Sequence, residues 1–87
     1  MFYVYILRSQ TDKNLYVGYT SDLQKRIKEH NSGNNFSTKH RIPFEVIYYE
    51  AYKNKQDAQE REVYFKTGWG RKYVVKILKN YFRADKS

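Results

Sequence analysis

The chain opens on a run of aromatic and β-branched residues, Phe2 to Ser9, and such a run folds as a strand. A polar stretch, QTDKN at 10–14, then turns the chain. Leu15 to Thr20 is a second strand, and the two form an antiparallel hairpin. Strand alternation puts Tyr3, Tyr5 and Leu7 on one face of the first strand and Phe2, Val4 and Ile6 on the other. In the second strand Tyr16, Gly18 and Thr20 alternate with Leu15, Val17 and Tyr19, and the register decides whether Tyr5 and Tyr16 share a face. Gly18 leaves a gap that admits a helix or a ligand. Ser21 followed by Gln24 makes a capping box for a first helix, with Asp22 suited to its dipole and Gly33 to its end. Residues 33–43 read as a polar, basic surface loop, and Phe44 to Tyr52 as a third strand. Asn54 caps a second helix that runs to about Thr67, where GWG (68–70) breaks it. A third helix follows, with Val74, Ile77, Leu78 and Tyr81 on one stripe. The order ββαβαα predicts an α+β fold, a three-stranded antiparallel sheet flanked by helices. Residues 1–83 form one domain in this reading, and 84–87 a frayed tail.

Three polar side chains interrupt the apolar faces. Leu23 and Ile27 define the inward stripe of the first helix; His30 falls inside it and Arg26 on its edge, one turn earlier. Both are expected where core meets solvent. The plain explanations are a half-buried, satisfied histidine and a solvated cation. On the second helix Glu62 sits amid Ala58, Phe65 and Trp69. A carboxylate there must be paired, with Arg26 or Arg61 as partner, or bind a metal, and the two explanations weigh equally.

Composition narrows the chemistry. The 87 residues carry a net charge of +8 and include 10 tyrosines and no cysteine. Disulfides and thiolate zinc sites are excluded. A field this basic favours polyanions, nucleic acid ahead of an anionic membrane surface. No signal peptide or membrane span is read, so a soluble, cytoplasmic protein is expected, with no membrane partner. No nucleophile–base pair marks a serine or cysteine hydrolase. Two phenols, an arginine, a histidine and one carboxylate suit a phosphodiesterase.

These residues stand in a recognisable order. Tyr3-Val4-Tyr5 and Tyr16-Val17-Gly18, with ten residues between Tyr5 and Tyr16, resemble the two signature motifs of the GIY-YIG endonuclease superfamily. Arg26 with Glu29-His30, then Ala58-Gln59-Glu60-Arg61-Glu62 with Lys66, resemble its helix and acidic motifs. GWGRK (68–72) is similar to the segment that follows in small stand-alone bacterial members related to the nuclease domain of the excinuclease C subunit. Two positions depart: Tyr19 stands where the excinuclease domain has a lysine, and Val74 near where several relatives carry an asparagine.

The resemblance implies a metal-dependent endonuclease that hydrolyses DNA phosphodiester bonds with little sequence specificity, structure-selective in repair or processing, with RNA left open. It implies that Tyr5 and Tyr16 hold or deprotonate the attacking water, that Arg26 stabilises the scissile phosphate, and that His30 orients a tyrosine or the phosphate. Glu62 would hold one magnesium or manganese ion, weakly bound without DNA. Lys25, Lys28, Lys39, Arg41 and Lys66 are candidate nucleic-acid contacts. The alternative is a nucleic-acid-binding module of the same fold that does not cleave.

Overall fold

Strand β1 (Phe2–Ser9) is the middle of the sheet, which explains why its sequence is apolar on both faces. The computed structural model describes residues 1–85. β1 pairs antiparallel with β2 (Leu15–Thr20) on one side and with β3 (Phe44–Tyr52) on the other, giving the order β2-β1-β3. Val4 and Ile6 are buried on one face of β1, and Tyr5 and Leu7 on the other. Helix α1 (Leu23–Asn31) covers the Tyr5 face with Leu23 and Ile27, and Phe44 closes that core. Helix α2 (Lys55–Phe65) and helix α3 (Gly68–Ile77) cover the opposite face, where Ala58, Phe65 and Val74 pack on Val4, Ile6 and Val17. Helix α4 (Lys79–Asp85) brings Phe82 to the same core. The fold is α+β with one helix on one side of the sheet and the rest on the other. Among the described residues no helix is long and apolar enough to cross a membrane.

Several boundaries differ from the sequence reading for local reasons. The cap of α1 is Asp22, not Ser21, because the Asp22 carboxylate accepts from the Lys25 amide at 3.1 Å. A carboxylate there caps the helix and also answers the dipole, so it outcompetes the neighbouring hydroxyl. Asn54 caps α2 as expected, accepting from the Gln56 and Asp57 amides. The basic loop holds a short 3₁₀ turn at Lys39–Arg41. GWG does not merely break α2. It forms the first turn of α3, capped by the Thr67 hydroxyl, which accepts from the Gly70 amide. Gly70 permits this tight junction, since a Cβ there would lie 2.1 Å from the Tyr64 carbonyl oxygen. The predicted third helix is two helices, because Leu78 leaves helical geometry at φ −109°, ψ 28°. Trp69, placed on the inward face by the wheel, is 77% exposed because α2 stops before it. Of the tail expected at 84–87, Ala84 and Asp85 close α4, and the remaining two residues lie outside the described residues.

Candidate active site

The hairpin register answers the question left open by alternation. Tyr5 pairs with Gly18 and Leu7 with Tyr16, so both phenols project from the face beneath α1. Their ring centroids are 6.4 Å apart. The gap at Gly18 receives neither a helix nor a ligand but the Tyr5 phenol itself. A Cβ on Gly18 would sit 2.3 Å from the Tyr5 hydroxyl oxygen.

His30 comes down from the last turn of α1 and is fully buried, deeper than the expected core–solvent border. Its Nε2 lies 3.0 Å from the Tyr5 hydroxyl and its Nδ1 3.1 Å from Thr38 Oγ1. The ring stands edge-on to Tyr16, centroids 4.9 Å apart, and to Phe44 at 5.8 Å. Burial in this aromatic cage, helped by the charge of Arg26, holds the imidazole below its ordinary pKa. The ring is therefore neutral at pH 7. It carries one proton, so it donates one of its two hydrogen bonds and accepts the other. Thr38 escaped the sequence reading. It lies in a stretch with no periodicity, and nothing in a polar loop marks one hydroxyl as the buried one.

Arg26 and Glu62 stand on different elements, Arg26 on α1 over the Tyr5 face and Glu62 on α2, whose core residues pack on the opposite face. Arg26 stays on the rim, lightly paired with Glu29 at 3.5 Å, and lines two adjoining clefts of about 180 and 570 Å³. Glu62 pairs with neither Arg26 nor Arg61; its partner is Lys66, one turn on, at 3.1 Å. Arg61 instead binds Glu50 of β3. Burial pushes the Tyr5 phenol well above its ordinary pKa, and Tyr16 adds to the rise; Arg26 opposes it, while Glu62 and Glu29 add to it again. The Arg26 guanidinium favours the phenolate, but desolvation outweighs it.

The candidate nucleic-acid contacts divide. Lys25 and Lys28 are exposed on α1 beside the clefts. Lys39 stands 4.6 Å over the Phe36 ring. Arg41 is committed to Asp12 at 2.7 Å and lies over Phe44, which ties the loop to the β1–β2 turn, and Lys66 is committed to Glu62. Among the described residues no three His, Cys, Asp or Glu side chains cluster as a ready metal site.

A model of the GIY-YIG catalytic domain matches residues 1–74, and the chain belongs to the GIY-YIG family. That family's domain is a nuclease domain, so nucleic acid is the substrate class. The chain is 48% identical over 67 residues to a UPF0213 protein of Clostridium perfringens, covering 76% of this chain and 71% of the relative. It is 41% identical over 86 residues to the UPF0213 protein YsiG of Lactococcus lactis, covering 98% and 82%. The solution NMR structure of a UPF0213 protein from Bacillus halodurans superposes with a TM-score of 0.56 at 34% identity, covering 88% of this chain and 85% of that one.

Proposed function

We propose that this chain is a divalent-metal-dependent endonuclease that cleaves DNA phosphodiester bonds with little sequence preference. The observation that carries the reading is the hydrogen-bonded line from Tyr5 through His30 to Thr38, buried beside Arg26. A phenol held well above its ordinary pKa is a poor base by itself. Backed by a neutral imidazole it is a good relay. When His30 carries its proton on Nδ1, it donates to Thr38 and its Nε2 accepts from the Tyr5 hydroxyl. The Tyr5 oxygen then takes a proton from a water at the phosphate while its own proton passes to Nε2. No free phenolate accumulates, and the charge rests on an imidazolium. Tyr16 walls the other side of the hydroxyl, and Arg26 on the rim meets the negative charge that grows on the phosphate.

The residues fit a weakly held ion. Glu62 supplies one carboxylate, already exchangeable through its partly exposed pair with Lys66. Magnesium accepts such thin ligation when water and substrate oxygens complete its shell. When bound, the ion neutralises the phosphate and stabilises the leaving oxygen.

The test is nicking of supercoiled DNA in magnesium or manganese. We expect EDTA to abolish cleavage, and Arg26→Ala and Glu62→Gln each to lower it by about 100- to 1,000-fold. A wild-type chain that binds DNA but never cuts it with either metal would overturn the reading in favour of a binding module.

A further inference from the structure

Phe36 is 82% exposed, the most exposed large apolar side chain among the described residues. It is not on a loosely held tip. Asn35 Oδ1 accepts from the Ser37 amide and hydroxyl, and Thr38 is sealed against His30. A local turn closed by Asn35 thus carries the ring, and the loop is fastened just after it at Thr38; the ring points outward with the Lys39 ammonium 4.6 Å from its centre. The ring borders the cleft of about 570 Å³ that Arg26, Glu29, Asn34 and Asn35 also line. An outward phenyl ring and the Arg26 guanidinium therefore share one concavity, and the Lys39 ammonium stands over that same ring.

We infer that Phe36 is a stacking platform for an unpaired base next to the phosphate held at Arg26, so that the site takes single-stranded or splayed nucleic acid rather than continuous duplex. The inference rests on the nuclease reading above and names its substrate class. In a duplex both faces of every internal base are covered by neighbours, and only an unpaired base has a face to offer. Stacking on a phenyl ring is indifferent to base identity, in keeping with a site that has little means of reading sequence. Lys39 on the same ring gives the flanking phosphate a counter-charge. A phenyl ring does not distinguish ribose from deoxyribose, so both strand types belong in the test.

The experiment is fluorescence anisotropy of the full chain in EDTA at low salt. The probes are labelled oligothymidylate, oligouridylate and a blunt-ended DNA duplex of equal strand length. We expect Phe36→Ala to weaken both single strands by about tenfold and the duplex by less than about twofold. Phe36→Trp should restore single-strand binding, and Phe36→Leu should not. Equal losses on all three probes, or full rescue by leucine, would overturn the platform. If wild type binds every probe and Phe36→Ala changes none, the platform alone fails. If wild type binds no probe, the nuclease reading itself fails, and the platform with it. A loss on only one of the two single strands would overturn the base-and-sugar-indifferent mode proposed here.

Discussion

Gly18 shows how one absent side chain builds a site. The Tyr5 phenol occupies the space its Cβ would take, and Tyr5 has no free direction to move because His30 and Tyr16 hold it. Gly18→Ala should destabilise the fold by about 1–3 kcal/mol, read as a lower urea midpoint, and should cut the nicking rate more than stability explains. His30 makes a separate prediction through pH. Its folded pKa lies below 6.5, so it accepts a proton from the relay at all higher pH and loses that ability as pH falls through its own value. The cleavage rate should therefore fall on an acid limb below pH 6.5. A limb at the alkaline end would instead show that the Tyr5 phenolate is the base. Arg26, His30 and Glu62 drew notice in the sequence because polar chemistry on an apolar face is costly and needs a reason, and Tyr5 and Tyr16 because they stand in the two strand motifs. Thr38 and Phe36 did not, since a loop has no face against which a residue looks out of place.

Helix α2 owes its seat to a polar clamp on the side of the sheet away from the phenols. Arg61 donates to both carboxylate oxygens of Glu50, at 2.8 and 3.1 Å, and its guanidinium lies 4.5 Å over Phe65. The Tyr48 and Tyr52 hydroxyls also donate to Glu50. Burial pushes the Glu50 carboxyl up, but these donors outweigh it and leave its pKa below the ordinary 4.5; Tyr52 in turn is pushed up to about 12. A carboxyl lowered in the fold adds stability above its unfolded pKa and loses it as pH falls from about 4.5 through the folded value. Glu50→Gln should thus unfold at a lower urea concentration at pH 7, by about 1–3 kcal/mol, and the difference from wild type should shrink below pH 4.5. The strands and the Asn54 cap were readable because alternation and capping are local rules. The α2–α3 junction was not, because Gly70 answers to the Tyr64 carbonyl across a turn, a contact that periodicity does not encode. The partner of Glu62 was legible in principle, since Lys66 stands at i,i+4 on the same helix; the long-range partners Arg26 and Arg61 drew attention instead, and Arg61 is claimed by Glu50 of β3.

The molecule divides its labour between the two sides of one sheet. The α2–α4 side carries most of the apolar core, and the α1 side carries the phenols, the imidazole and the clefts. With a net charge of +8, association with polyanions should be fast and strongly salt-sensitive. Each phosphate contact contributes roughly 0.7 to 0.9 to the slope of log affinity against log salt. Lys25→Ala and Lys28→Ala should each flatten that slope by about one such contact while leaving the single-strand preference untouched, measured by anisotropy across a salt series. An unchanged slope in both variants would move the phosphate track off α1.

Thr38 fastens the loop between α1 and β3 at one buried point, and Arg41 ties its later part to the β1–β2 turn. Residues 34–37 lie ahead of that fastening. The loop is therefore modular: its leading segment is free to be exchanged, lengthened or re-coloured chemically while the histidine beneath keeps its hydroxyl partner. A nuclease built this way can diversify what it grips without re-inventing how it cuts. For an engineer, grafting a different 34–37 segment onto an intact Thr38 is the least disruptive route to a new substrate preference.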